Sequence, residues 1–182
     1  MKALNKIKVG ILGLSVVLIF STNGFGNSDK GNKTKLSNEK RDVVLQGTIA
    51  HRRANVEEIR VNVYSKNELV ESAIANGKGD FEMKLQRGED YTIEIVANGF
   101  YNKRFKVLTT GMDIDGTPPP IEFNATLVHK NELSGSDDFL LDFPWAIFTF
   151  HGKKKEFKLH QKYTKKMIKD INAIYHATSS IN

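Results

Sequence analysis

From Val43 to His129 apolar and polar side chains alternate with a period of two. That alternation restricts the chain to extended segments with one greasy and one wet face. "VVLQGTI" opens the series and ends at Ile49. In "EIRVNVY" Ile59, Val61 and Val63 share one face while Arg60 and Asn62 share the other. "ELVESAI" (68–74) is shorter and weaker. "DFEMKL" aligns Phe81, Met83 and Leu85, and "DYTIEIVA" aligns Tyr91, Ile93, Ile95 and Ala97. "YNKRFKVLT" adds Phe105 and Val107; "PIEFNATLVH" adds Ile121, Phe123, Ala125 and Leu127. Turn signals fall between these runs: "NGKG" at 76–79, "RG" at 87–88 and "NG" at 98–99. Asn-Gly suits turns whose two central residues need positive φ. "TTGMDIDGTPPP" is a polar link, and its prolines at 118–120 cannot donate to a ladder. Seven short strands at this spacing predict a mainly β fold, an antiparallel sandwich of two sheets with one side of each meeting water.

A core of that kind needs enough apolar residues, and 40% of the 182 residues are hydrophobic against 26% charged. The net charge of +6 is unevenly placed. Lys2, Lys6 and Lys8 lie in the first ten residues, and residues 151–170 carry eight lysines against Glu156 and Asp170. Such a run reads as a solvated lysine-rich face, so no nucleic-acid partner is expected. The absence of cysteine excludes disulfides, thiolate metal sites and a lipid-anchored start.

"MKALNKIKVGILGLSVVLIFSTNGFG" has a lysine-bearing start, an apolar run from Val9 to Phe20 and a small polar end. This is the layout of a secretory signal peptide over residues 1–26, with cleavage expected after Gly26. The run falls short of the roughly twenty apolar residues a membrane span needs. Retention as an anchor is the alternative; otherwise the mature chain has no integral span. Export without cysteine suits a bacterial periplasm or cell surface. Residues 27–42 hold one large apolar side chain, Leu36, and are expected to be a flexible linker.

Gly47 in the first strand, Gly79 and Phe81, Leu85, Tyr91, Ile93, Ile95, and Gly99 with Phe100 occur in an order that resembles the carboxypeptidase regulatory-like domain. The resemblance covers about residues 43–130. It implies a transthyretin (prealbumin)-like, seven-stranded antiparallel Greek-key β-sandwich. The segment "IRVNV" departs from it, since many relatives have more glycine and proline before that strand. The tail "DFPWAIFTFHGKKKEFKLHQKYTKKM" also looks like the C-terminal part of exported proteins of Bacteroidetes type, which implies a compartment rather than an activity.

After a link at 131–138, Trp145–Phe150 predicts a strand, "HGKKK" a turn and "EFKLH" a return strand. From Gln161 onward Tyr163, Met167, Ile171 and Ile174 recur at helical spacing, which predicts an amphipathic helix. A hairpin and helix are marginal alone. Residues 139–182 must therefore dock on the sandwich or bind another protein. Trp145, Phe143, Phe148 and Tyr163 are the candidate binding residues, because aromatic anchors dominate interfaces. For a cell-wall glycan the stacking platforms would be Trp145, Tyr101 and Tyr163.

Chemistry is sparse. "HKNE" sets His129 and Glu132 at the spacing that zinc carboxypeptidases use for two ligands, but those enzymes carry their third ligand on a separate catalytic domain. "MDIDG" offers Asp113 and Asp115 without the later ligands a calcium loop needs. Glu57–Glu58 and Asp137–Asp138 are adjacent, and neighbours on a strand face opposite ways. The expected protein is a non-catalytic exported module without cofactor or metal. Its partner would be another envelope protein or, alternatively, a cell-wall glycan.

Overall fold

The structure, a computed structural model, describes residues 42–51, 56–133 and 139–179, with side chains to Ile174. The expected signal segment (1–26), the linker up to residue 41, residues 52–55 and residues 134–138 lie outside the described residues. Within the described residues the chain is mainly β, with nine strands in two mixed sheets and one long helix.

The strands are β1 (Val43–Ala50), β2 (Arg60–Ser65), β3 (Glu68–Ile74), β4 (Asp80–Leu85), β5 (Asp90–Val96), β6 (Lys103–Leu108), β7 (Ile121–Thr126), β8 (Ala146–His151) and β9 (Glu156–Leu159). The helix α1 spans Gln161–Ser179, and single 3-10 turns occupy Lys130–Leu133 and Phe139–Asp142. One sheet has the order β4-β1-β7; the other runs β3-β2-β5-β6-β8-β9. Their inner faces meet to give a sandwich-like core. Phe123 of β7 contacts Phe105 of β6 with ring centroids 4.8 Å apart, and Phe148 of β8 at 5.9 Å.

The alternation explains which side chains are inside. Phe81, Met83 and Leu85 are buried on β4, Phe105 and Val107 on β6, and Ile121, Phe123 and Ala125 on β7. It does not encode direction, and here the structure differs from the all-antiparallel expectation. β7 runs parallel to β1 (Leu45 opposite Ile121), and β8 runs parallel to β6 (Phe105 opposite Ala146). Parallel neighbours need long crossovers. Residues 51–120, which include β2 to β6, join β1 to β7, and residues 109–145, which include β7, join β6 to β8.

The segments just before β7 and before β8 are not purely polar. Met112 and Ile114 are buried, so alternation continues through the polar-looking "MDIDG" and turns Asp113 and Asp115 to solvent. Arg87 donates from Nη1 to the Ile114 carbonyl at 2.7 Å. Thr109, fully buried, accepts from the amides of Gly88 and Glu89 at 3.0 Å each and donates to the Glu89 carbonyl. Likewise, residues 131–133 of the expected second link belong to the 3-10 turn, and Leu133 is buried.

Two glycines set how closely the strands approach. Gly47 on β1 faces Phe81 of β4 and Phe123 of β7, and those two rings meet edge-on with centroids 5.5 Å apart. A Cβ on Gly47 would stand 1.8 Å from the Phe123 carbonyl oxygen. Gly79, at φ +83°, would put a Cβ 1.8 Å from the Ile49 carbonyl oxygen. The Asn-Gly pairs do not form the expected turns with two positive φ values; only Gly79 of "NGKG" and Gly99 of "NG" have positive φ. Asn76 instead accepts through Oδ1 from the amides of Lys78 and Asp80, both at 2.9 Å. The two-residue turn with both φ positive is Lys66 (51°) and Asn67 (67°), between β2 and β3.

Gly47→Ala is expected to lower unfolding free energy by about 2–3 kcal/mol, because backbone rather than a mobile side chain must yield. Gly77→Ala, where a Cβ meets nothing within 4 Å, should stay within about 0.5 kcal/mol of the parent. Urea midpoints of the two variants measure the contrast.

Candidate functional site

β8 inserts beside β6, so the C-terminal hairpin extends the six-stranded sheet of the same chain. This decides where the sequence-derived binding residues lie. Trp145 and Phe148 are each 3% exposed, within the core. Tyr163 is half-buried and donates its hydroxyl to the Pro144 carbonyl at 2.7 Å; burial raises its pKa. Phe143 is exposed and packs edge-on against exposed Phe139, centroids 5.1 Å apart. Tyr101 is half-buried, and its amide donates to the Val128 carbonyl at 2.9 Å. The four candidate residues therefore do not form one exposed surface. Trp145 and Phe148 have no open face for a partner or a sugar ring. Met167 and Ile171 of α1 are buried too, and the helix packs on β8 and the two 3-10 turns.

The surroundings of Trp145 contain a residue that alternation alone hides. Lys103 lies on β6, in line with Phe105 and Val107, and is 2% exposed. Its Nζ donates to the Thr126 carbonyl at 2.6 Å and sits 3.8 Å from the centroid of the Trp145 ring. The amine thereby touches β7 of one sheet and the entry to β8 of the other. Burial lowers its pKa from the ordinary 10.5 to about 7; the ring face and the carbonyl act against that shift by favouring the charged form. Period-two counting places position 103 inward, and its lysine identity is the one signal that could have drawn attention to it.

A second charged cluster covers the outer face of the same sheet. Glu94 is 8% exposed. It accepts from Arg104 Nε at 2.9 Å, Tyr64 Oη at 3.3 Å and Asn102 Nδ2 at 3.3 Å. Arg104 also bonds the Asp142 carbonyl at 2.9 Å, so one guanidinium fastens the tail to β5. The histidine–glutamate pair has a comparable structural use. Glu132 Oε1 lies 2.9 Å from His51 Nε2 and accepts the His129 amide at 3.1 Å, while His129 Nδ1 accepts the Asn131 amide at 3.2 Å. Among the described residues no group of three His, Cys, Asp or Glu side chains could hold a metal ion, and no helix is long and apolar enough to cross a membrane.

Among the described residues two further surfaces are open to solvent. On the outer face of the three-stranded sheet, Gln46, Thr48, Asp80, Glu122 and Asn124 line a hollow of about 500 Å³. Its groups largely bond one another: Gln46 Nε2 to Glu122 at 2.7 Å, Thr48 Oγ1 to Asp80 at 2.8 Å. The Thr48 bond, then that of Asn76, holds the Asp80 carboxyl below its ordinary pKa.

The other surface is the β3 edge. Leu69, Val70 and Ile74 are 57%, 55% and 60% exposed. Beside them a cleft of about 330 Å³ opens between β3 and β4, with Val63, Leu85 and Tyr91 among its lining residues. The edges at β9 and β4 differ. β9 is only four residues long and follows Lys153–Lys155; β4 exposes Asp80, Glu82 and Lys84. Short or charged edges resist pairing with another chain; a longer apolar edge invites it. The sequence signal for β3 is its own composition: three large aliphatic residues, Leu69, Val70 and Ile74, in a strand without a buried face.

No family model and no curated protein matches the chain.

Lys103→Met is expected to flatten the pH dependence of stability. The folded state favours the neutral amine, so between about pH 7 and 10.5 the unfolded chain binds the extra proton. Parent stability should therefore rise with pH across that window and be lowest below it. Urea titrations at pH 6, 8 and 10 should show that rise in the parent and lose most of it in Lys103→Met.

Proposed function

We propose that the chain is an exported, non-catalytic binding module of the bacterial periplasm or cell surface that recognises another protein by strand addition at β3. The observation behind this reading is the solvent-facing Leu69, Val70 and Ile74 on an edge strand of a six-stranded sheet. An extended segment can pair with such an edge through its backbone and place alternate side chains in the adjoining cleft. The buried polar residues support the non-catalytic part: Lys103, Glu94 and Thr109 each hold strands or links together. The proposal of export rests on the lysine start and apolar run of residues 1–26. The kinship proposed is with carboxypeptidase regulatory-like domains and their transthyretin-like Greek key. It rests on the order of Gly47, Gly79, Phe81, Tyr91 and Gly99, and on the close strand approach at the first two.

A second reading, glycan binding, is favoured by the hollow on the three-stranded sheet. Its amide, hydroxyl and carboxylate groups are of the kind that bond sugar hydroxyls. That reading would move the glycan site from the aromatic residues to Gln46, Glu122 and Asn124.

The double variant Val70→Lys/Ile74→Lys should keep the parent's stability within about 1 kcal/mol, since both side chains are exposed. It should lose the envelope protein that the parent retains in pull-down. Undiminished recovery by the double variant would sink the edge-strand reading, and a parent that retains only glycan would favour the hollow.

A further inference from the structure

The direction of the β3 backbone groups narrows what can pair there. The Ala75 amide donates to the Ile59 carbonyl at 2.9 Å. The register continues with Ala73 opposite Val61 and Glu71 opposite Val63. In an antiparallel ladder only alternate residues bond a given neighbour. Residues 71, 73 and 75 therefore bond β2, and Ser72 and Ile74 turn their N–H and C=O groups to the open edge. The irregularity between Val63 and Tyr64 leaves Val70 as the extra residue on β3 and ends the regular stretch.

An identical strand can join this edge about a two-fold axis perpendicular to the sheet only if the axis passes beside one residue and its own copy. An axis at Glu71 sets two carboxylates against each other, which is unfavourable. An axis at Ser72 sets Glu71 against Ala73, Glu68 against Asn76, and Ile74 beside the Leu69–Val70 pair of the other copy. Over Glu68–Asn76 no like charges meet, the exposed apolar side chains lie beside one another, and the outward-turned groups of Ser72 bond those of its counterpart.

We propose that the occupant of the β3 edge is a second copy of this chain, paired antiparallel about Ser72 so that one sheet runs continuously through both copies. This rests on the edge-strand reading above and names the partner for that same surface. The interface is isologous, as closed two-fold assemblies require.

The chain has no cysteine, so Ser72→Cys introduces a sole thiol. Paired residues of this type lie about 5.5 Å apart between Cα atoms, within the roughly 4.4–6.8 Å that a disulfide spans. Mild oxidation of the purified Ser72→Cys protein should give a covalent dimer, and Glu82→Cys, on the exposed face of β4, should give no covalent dimer. Sedimentation of the cysteine-free parent should show a concentration-dependent dimer. Ser72→Pro deletes one outward N–H per copy, hence two per dimer, and should weaken self-association about tenfold or more, whereas Ser72→Ala, which loses the same 2.8 Å side-chain bond to Asn62 but keeps the N–H, should not. A parent that sediments as a monomer throughout, a dimer unaffected by Ser72→Pro, or equal cross-linking of Glu82→Cys would each overturn self-pairing. If the parent is monomeric yet Val70→Lys/Ile74→Lys still abolishes capture of an envelope protein, self-pairing fails and the binding reading stands. If neither association nor capture responds to the edge variants, both fail.

Discussion

The seam between β6 and β8 is the contact on which the rest of the architecture depends. Without β8, β6 would present a bare row of backbone groups, and the inner ring of Phe123 would lose Phe148. With it, the C-terminal residues become part of the core rather than an appendage. Trp145 is then drawn over Lys103, Tyr163 over the Pro144 carbonyl, and Arg104 between Glu94 and the Asp142 carbonyl. These polar contacts are few, but each fixes the tail at a different point. Hydrophobic burial brings the segment in; the directional bonds set its register.

Much of this was legible in the sequence, and the parts that were not have a common cause. A period of two identifies strands and faces, and β4, β5 and β7 fall where their alternation puts them. It is silent on direction, which is why the parallel pairs β1–β7 and β6–β8 were missed. Their partners are chosen by long links whose own residues, such as Met112 and Leu133, enter the core without a recognisable pattern around them. Aromatic residues were the natural candidates for a binding surface, yet aromatic rings are also the best core fillers. Sequence offers no way to tell the two uses apart, and Trp145 and Phe148 took the second. Leu69, Val70 and Ile74 looked like an ordinary weak strand; only its place at the margin of the sheet leaves them uncovered.

The two glycine contacts and the open edge sit at opposite ends of one design problem. Gly47 lets β1 lie so close to β7 that neither strand offers room for a side chain between the backbones. The three-stranded sheet is thereby drawn tight and covered by Phe81 and Phe123. Across the sandwich, β3 overhangs the core: its residues from Glu68 to Glu71 have no buried side chain. At Gly47 the strands are as close as backbone allows; at β3 there are contacts still to make.

The tight turn at Lys66 and Asn67 bears on how β3 behaves. Both residues hold left-handed backbone angles, and the lysine does so without the compensation that glycine or asparagine enjoys. β3 is thus tethered through a mildly strained corner and, among the described residues, pairs with a single neighbour. A strand paired on one side opens more readily than one paired on both, so its amides should exchange with solvent before those of β5 in the middle of the sheet. Anything that pairs with the free side would slow that exchange, so the strand can report its own occupancy.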